Sequence, residues 1–161
     1  MKIRNAVAAD LKAIVEIYNQ SIPERLATAD TEPVAVADRV NWYRDRPANR
    51  PLWVATKEER VSGWLSFQNF YGRPAYHHTA EISIYVDSAF HRQGIGSQLL
   101  ARAIAHSPQL QLSTLLAFVF AHNQPSLNLF AKNGFERWGY LPDIAELDRI
   151  QRSLIILGRK V

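Results

Sequence analysis

A turn containing two glycines, at residues 91–97, is the part of the sequence best suited to hold a charged ligand. It reads His91-Arg92-Gln93-Gly94-Ile95-Gly96-Ser97, and it lies between an apolar strand pattern and a helical pattern. Glycines let the backbone turn sharply and approach a ligand closely, and backbone amides at a helix start bind anionic oxygens. With the cation of Arg92 at its mouth, the turn predicts a pyrophosphate site. A glycine-rich turn without any ligand is the alternative.

Two other nucleotide-binding motifs do not fit this turn. The sequence has no Gly-x-x-x-x-Gly-Lys-Ser/Thr pattern, which excludes a Walker loop. A dinucleotide-binding motif needs a third glycine and a position after the first strand, and neither condition is met.

The strand pattern before the turn carries a carboxyl group that could do acid–base chemistry. From about residue 78 to 87 the even positions are apolar, whereas the odd positions hold Glu81, Ser83 and Tyr85. Successive side chains of a strand point to opposite faces. We therefore expect the even face to pack on a helix and the odd face to line a cleft. The alternative for Glu81 is a strand glutamate that faces solvent.

The elements that must position these groups follow the order β-α-α-β-β-β-α-β-α-β-β. Helical spacing of apolar residues predicts helices near 11–18, near 36–43, from 94 and from 123. Alternating or continuous apolar runs predict strands near 2–6, 52–56, 61–70, 78–87, 114–121, 135–141 and 154–157. Asn123 suits a helix N-cap, and Asn133-Gly134 suits a C-cap. This order predicts a single α/β domain over residues 1–161, with a mixed sheet covered by helices on both faces.

Composition removes several classes of function. The absence of cysteine excludes disulfides, thiolate metal sites and cysteine nucleophiles. We expect a cytoplasmic protein, because the start of the chain lacks a secretory signal and the longest apolar run, Leu115 to Ala121, is far below the roughly 18 residues of a membrane span. The net charge is +4, but the basic residues are scattered, so no nucleic-acid-binding surface is expected.

Several separated stretches, taken with the turn, resemble the GNAT superfamily of N-acetyltransferases. The family's Gln/Arg-x-x-Gly-x-Gly/Ala pattern reads here His91-x-x-Gly94-x-Gly96, with histidine at the first position. The resemblance covers roughly residues 2–139 and is strongest to the phosphinothricin acetyltransferase-like branch. The similar stretches include Ile17-Tyr18-Asn19, Thr28-Ala29-Asp30-Thr31-Glu32-Pro33, Arg73-Pro74-Ala75-Tyr76, Thr79–Val86, Asn123-Gln124-Pro125-Ser126 and Asn133-Gly134-Phe135.

The resemblance implies a fold and a cosubstrate. The fold would be a central mixed, mostly antiparallel sheet whose fourth and fifth strands splay apart, and the pantetheine arm of acetyl-CoA would lie between them. The turn would hold the pyrophosphate. The implied cofactor-binding residues are Ile84, Tyr85, Val86, Arg92, Gln93, Gly94, Ile95, Gly96, Ser97, Asn123 and Ser126.

The resemblance also implies a mechanism. Glu81 matches the carboxylate that the branch uses as general base, since an ammonium must lose a proton before it attacks a thioester. A backbone N–H near Val86 would polarise the thioester carbonyl. Many family members protonate the leaving thiolate with a tyrosine at the position of Phe130. Phenylalanine cannot donate a proton, so water or another group would have to act.

The acceptor implied by the resemblance is a small amino-acid-like amine. Arg73 could pair with a carboxylate of the acceptor, and Tyr76 and His78 precede the strand of Glu81. A loop at 22–33 could cover the site and bring in Glu32. The alternatives are that Arg73 is only a surface residue, that Tyr76 and His78 only pack, and that the loop only joins two helices.

No metal site is expected. His77 and His78 are adjacent, and adjacent strand residues point to opposite faces. The leading hypothesis is a small-molecule N-acetyltransferase, with a possible homodimer by family resemblance. Phe130 leaves open a CoA-binding sensor without catalysis. A protein N-terminal or lysine acetyltransferase would need an acidic groove, and the sequence has no acidic cluster.

Overall fold

Seven strands and four α-helices follow one another in the predicted order in a computed structural model that describes residues 1–161. The strands are β1 (Lys2–Asn5), β2 (Leu52–Lys57), β3 (Arg60–Asn69), β4 (Thr79–Val86), β5 (Thr114–Phe120), β6 (Glu136–Leu147) and β7 (Ile150–Lys160). The helices are α1 (Leu11–Gln20), α2 (Val40–Arg44), α3 (Ile95–His106) and α4 (Gln124–Lys132). All strands join one sheet in the order β1-β2-β3-β4-β5-β7-β6.

The two faces of this sheet are covered by different helices, as predicted. On one face, Ala80 and Ile82 of β4 belong to a 20-residue core with Leu99 and Leu100 of α3. On the other face, a smaller core joins residues of α1 to β2 and β3. The odd residues of β4 lie on this second face, where Tyr85 packs against the smaller core. The predicted division of β4 into an apolar even face and a polar odd face is therefore confirmed.

The sheet is mixed, and its only parallel pair is also its weakest. Strands β4 and β5 run parallel and pair only through residues 79–81 and 114–116. All other neighbouring strands are antiparallel. The remaining five residues of β4 have no partner in β5, so the two strands open into a gap. The predicted splay of the fourth and fifth strands is confirmed.

Strand β5 is held firmly on its other side. It pairs with β7 through seven consecutive residue pairs, from Thr114 with Lys160 to Phe120 with Leu154. The C-terminal hairpin is longer than the predicted strands at 135–141 and 154–157. Most residues of β6 are exposed, and its register shifts twice, so it lacks the alternation that marks a strand. Its turn, Asp148-Arg149, adopts positive φ at both residues without a glycine.

The second predicted helix, near 36–43, is less regular than its spacing suggests. Residues Val36–Arg39 form a 3₁₀ turn, and the α-helical part is only Val40–Arg44. No helix of the structure has the length and apolar character needed to cross a membrane.

The start of α1 is fixed by a buried carboxylate. Asp10 accepts hydrogen bonds from two guanidinium nitrogens of Arg4, at 2.6 and 3.0 Å, and from the backbone N–H of Val7 at 2.8 Å. These interactions tie β1 to α1. The hydrogen bond from Arg4 is the main cause that lowers the pKa of Asp10.

We predict that Asp10→Asn lowers the free energy of unfolding by about 1.5–3 kcal/mol, because a hydrogen-bonded charge is lost in a buried position. The pKa of Asp10 is lowered by folding, so its contribution is complete above the ordinary carboxyl pKa and disappears as the pH falls through the lowered value. Denaturant unfolding at several pH values measures both effects.

The control is Asp45→Asn, since Asp45 is 69% exposed and contacts only Arg44. Its change should stay within about 0.5 kcal/mol. Equal losses in the two variants would show that the Arg4–Asp10 contact adds nothing specific.

Candidate active site

The gap between β4 and β5 exposes backbone polar groups of β4. The N–H of Asp87 donates to the C=O of Ser62 at 3.0 Å, which makes Asp87 and Ser62 a hydrogen-bonded antiparallel pair. Such pairs alternate with pairs whose peptide groups point away from the partner strand. The register of β3 and β4 therefore directs the peptide groups of Ile84 and Val86, which lie beyond the last pair with β5, toward the gap.

Tyr85 differs from its two neighbours in this respect. By the same alternation its N–H and C=O face Trp64 of β3, so only its side chain is available to the gap. Among the three residues proposed from the sequence for backbone contacts, Ile84 and Val86 have the required orientation. The alternation does not favour a backbone contact from Tyr85, and that contact stays a prediction.

The turn at 91–97 presents a row of unpaired backbone amides. The N–H groups of the six residues from Arg92 to Ser97 make no hydrogen bond to any backbone or side-chain acceptor of the chain. The next amide, of Gln98, donates to the C=O of Gly94 at 3.0 Å and so begins the helical pattern. This row lies at the N-terminus of α3, where the helix dipole also favours an anion.

The two glycines of the turn have different roles. Gly94 caps α3 with φ of +76°, a left-handed conformation that residues with a Cβ rarely adopt. Gly96 lies close to α4, since a Cβ there would be 3.3 Å from the side chain of Leu129, which would have to shift slightly. Together they let the amide row form close to the rest of the fold.

Side chains attach this turn to the end of β4 and to the β2–β3 hairpin. The Nε2 atom of His91 donates to the C=O of Val86 at 3.0 Å. Lys57 donates to Oε1 of Gln93 at 2.5 Å. Arg92 and Ser97 are exposed. The histidine that departs from the family pattern thus connects the turn to the gap, and Lys57 adds a cation that sequence reasoning missed.

Glu81 is the last residue of β4 that pairs with β5. It stands opposite Gln68 of β3 and beside Leu116 of β5, and its carboxylate has no hydrogen-bond or salt-bridge partner within the chain. The side chain is partly buried, and this burial raises the pKa of Glu81. A carboxylate without a partner, whose pKa is raised by burial, is suited to accept a proton from a bound amine.

The floor of the gap is a narrow cavity of about 50 Å³. Its lining includes Ser83, Ile84, Phe118, Asn123, Ser126 and Phe130. Asn123 caps α4, as predicted, because its Oδ1 accepts the N–H of Ser126 at 3.2 Å. Phe130 is buried against Phe135, and it contributes no proton donor to the cavity.

The residues proposed for acceptor binding are only partly brought together. Arg73, Tyr76 and His78 are exposed in the segment before β4. Tyr76 lies edge-on to Phe70 at 5.3 Å between ring centres, whereas Nδ1 of His78 is bonded to the C=O of Gln111 at 2.6 Å. Glu32 is exposed and has no partner.

The expectation that His77 and His78 point to opposite faces is wrong. They precede β4 in a turn after a 3₁₀ segment, and their ring centres are 3.8 Å apart. No group of three His, Cys, Asp or Glu side chains in the structure could hold a metal ion.

The loop at 22–33 lies next to the site, and its role as a cover of the acceptor stays a prediction. The hydroxyl of Tyr18 bonds to Thr28 and to the carboxylate of Asp30. The loop also lines the gap with Ala27. Arg25 joins the loop to Asp148 in the β6–β7 turn at 3.0 Å. Asp30, and not Glu32, is the acidic residue of this loop that faces inward.

Comparisons with known proteins agree with this geometry. The sequence profile described as the acetyltransferase (GNAT) family matches residues 11–135. A Bacillus subtilis (strain 168) protein named "Putative phosphinothricin acetyltransferase YwnH" is 50% identical over 162 residues, which cover 100% of this chain and 99% of that protein. The L-amino acid N-acyltransferase MnaT of Escherichia coli (strain K12) is 31% identical, over 89% of this chain and 84% of its own.

A solved structure is similar over nearly the whole chain. The GNAT superfamily phosphinothricin acetyltransferase (Pat) of Sinorhizobium meliloti, in complex with AcCoA, has a TM-score of 0.93 and 28% identity. The match covers 99% of this chain and 88% of that one. The resemblance seen in the sequence is confirmed in both family and fold: the chain belongs to the acetyltransferase (GNAT) family.

Proposed function

We propose that the protein transfers an acetyl group from acetyl-CoA directly to the amine of a small molecule, an amino acid or an amino-acid analogue, with Glu81 as general base. One observation carries the proposal. The carboxylate of Glu81, which has no partner, lies where β4 and β5 separate, and the unpaired amides of residues 92–97 follow the other end of β4. The amides suit a diphosphate, and the carboxylate suits proton removal from an ammonium.

The amide row supports pyrophosphate binding on physical grounds. Unpaired N–H groups at a helix start give an anion both hydrogen bonds and a favourable dipole. The exposed Arg92 adds a positive charge. The pantetheine arm would then extend along the gap, where Ile84 and Val86 direct peptide groups that can bond to its amides.

Each chemical step has a candidate group in this chain. Glu81 accepts a proton from the acceptor's ammonium, which frees the nitrogen lone pair to attack the thioester carbon. The N–H of Ile84 or Val86 stabilises the negative charge that develops on the carbonyl oxygen. The carbon–sulfur bond then breaks, and the second proton of the nitrogen passes to the leaving thiolate, directly or through water, as the amide forms.

The leaving thiolate takes up a proton without help from Phe130. Hydroxyl groups of Ser83 and Ser126 line the gap, and water can reach its open end. A thiol of pKa near 8.5, the usual value for a cysteine, is already a good leaving group. The loss of a tyrosine at position 130 is therefore compatible with turnover.

The acceptor class follows from the relatives. The names of the B. subtilis and S. meliloti proteins specify phosphinothricin, and that of the E. coli protein specifies L-amino acids. We extend this class to the present chain because the site is a confined cavity and not an open acidic groove. Homodimerisation, the cytoplasmic location and the absence of a nucleic-acid partner stay predictions from the sequence.

We predict that Glu81→Gln lowers kcat about 10²–10⁴-fold, the usual contribution of a general base, with little change in the Kd of acetyl-CoA. The pKa of Glu81 is raised, and only its unprotonated form accepts a proton. In the wild type, kcat/KM should therefore fall as the pH drops through a value above the ordinary carboxyl range, and the variant should lose this dependence. Thiol release with an amino-acid panel measures both.

Glu16→Gln is the matched control, since Glu16 is 62% exposed on α1 and lines neither cavity of the site. Its kcat and pH profile should equal those of the wild type. Acetyl-CoA binding by the wild type without transfer to any amine would contradict the enzyme assignment and favour the sensor that Phe130 suggests.

We predict that Gly94→Ala raises the Kd of acetyl-CoA about tenfold, because a Cβ at φ of +76° costs about 1–2 kcal/mol and turns the amide row away from its ligand. Calorimetric titration with acetyl-CoA measures the change. Gly72→Ala is the control: Gly72 also has positive φ, of +63°, and a Cβ there meets nothing within 4 Å. It should cost similar stability and leave the Kd unchanged, and an equal rise in Kd would argue against the amide cradle.

A further inference from the structure

A second, larger cavity lies on the α1–α2 side of the sheet, next to Glu81. Its volume is about 130 Å³, several times the 10–15 Å³ that one water needs on this measure. Gln68, Ser66 and Ser83 form its floor. Gln68 stands directly opposite Glu81, and Ser66 opposite Ser83, so the cavity begins beside the proposed base and extends away from it.

Two buried polar groups at this cavity have no partner in the protein. The Oγ of Ser66 makes no hydrogen bond although the residue is completely buried, and the Nε1 of Trp42 also makes none. Both residues line the cavity. An unsatisfied buried polar group costs about 1–3 kcal/mol, and native proteins rarely leave such groups unpaired. Two of them at one cavity favour an occupant that supplies hydrogen-bond partners, which is water in the free protein and a polar group of a ligand when one is bound.

The charges around the cavity favour an anionic group. The guanidinium of Arg39 lies 5.0 Å from the ring centre of Tyr18 and 5.4 Å from that of Trp42. Its only carboxylate neighbour is Asp30, at 3.8 Å. That carboxylate also accepts the hydroxyl of Tyr18, so Arg39 keeps donors for another partner.

A second cation also lies against the ring of Trp42. The guanidinium of Arg46 is 4.9 Å from the Trp42 ring, and it bonds only to backbone carbonyls, those of Arg50, Pro51 and Phe67. Two guanidiniums and one carboxylate, that of Asp30, lie at the Trp42 end of the cavity, whereas Glu81 lies beside its opposite end, so the Trp42 end carries an excess of positive charge. Arginine and the indole N–H are donors only, so a bound group must supply acceptor oxygens.

We propose that this cavity, defined by Arg39, Trp42 and Ser66, binds an oxyanionic group of the acceptor while Glu81 receives its amine. The inference rests on the proposed function, because it names the part of the substrate that this side of the site selects. It moves the recognition of negative charge from Arg73, which is exposed and makes no contact, to Arg39. The oxyanion is an α-carboxylate or a side-chain oxyanion such as a phosphinate.

The test uses variants that remove the polar groups of the cavity. Ser66→Ala deletes a hydroxyl that bonds to no other group of the protein, so its melting temperature should stay equal or rise. Trp42→Phe removes the indole N–H together with ring contacts to Arg39, Arg46 and Trp64, so its melting temperature should fall and only its KM is used. Each should nevertheless raise the KM of an oxyanion-bearing acceptor about tenfold or more, as should Arg39→Gln. Arg44→Gln, an exposed arginine on the same helix, is the control and should change neither quantity.

Four probes identify the source of the oxyanion. Phosphinothricin carries both groups, L-methionine only the α-carboxylate, decarboxylated phosphinothricin only the phosphinate, and L-methioninamide neither. If the α-carboxylate occupies the cavity, the variants abolish the preference for L-methionine over its amide. If the phosphinate does, they weaken the two phosphinate compounds alone. An equal effect on all four probes, or a fall in melting temperature for Ser66→Ala, overturns the inference.

Binding without turnover separates this inference from the proposed function. The shift in melting temperature caused by each probe is measured with the wild type and Ser66→Ala in the absence of acetyl-CoA. A shift that Ser66→Ala removes, in a protein that acetylates no amine, supports the cavity and contradicts the transferase proposal. Turnover that ignores the oxyanion supports the transferase and contradicts the cavity.

Discussion

The pairing of β4 with β5 ends after three residue pairs, and the geometry of the site follows from that early end. Strand β5 cannot turn back toward β4, because it is fixed to β7 along its whole length. The N–H groups of Ile84 and Val86 and the C=O of Ile84 are consequently left without strand partners, whereas the C=O of Val86 accepts the hydrogen bond from His91. Unpaired backbone groups are normally costly. Their presence here supports the proposal that they bind the pantetheine arm.

The turn that follows β4 also has unpaired backbone groups, the amides of residues 92–97. The chain leaves the strand at Val86, passes through a short 3₁₀ segment and enters α3 with its amides unpaired. The bond from His91 to the C=O of Val86 fixes the distance between gap and turn. One continuous segment therefore carries the proposed base, the carbonyl-polarising N–H groups and the anion cradle, and their spacing is set by local structure.

Much of this could be predicted from the sequence, because local rules act on those residues. The alternation of β4 fixed the face of Glu81, and the positions of Gly94, Asn123 and Gly134 followed from turn and cap chemistry. The acceptor side could not be predicted in the same way. Arg39, Trp42 and Ser66 come from a 3₁₀ turn, a short helix and a strand, and no motif joins them. Their common property, a lack of partners around a shared cavity, exists only in three dimensions.

The C-terminal hairpin could not be predicted in full for a different reason. An exposed edge strand with two register shifts has little apolar pattern, although its partner β7 supports one side of the gap. The prediction for His77 and His78 failed for another reason. It assumed that both residues lie in a strand, whose side chains alternate between faces, but β4 begins only at Thr79.

The indole of Trp42 has one more consequence. It is flanked by two guanidiniums and meets the ring of Trp64 edge-on, at 5.8 Å between ring centres. Both indoles line the larger cavity. Emission from an indole depends on nearby charge and on water, so the intrinsic tryptophan fluorescence of the native chain should report when that cavity fills, without any label.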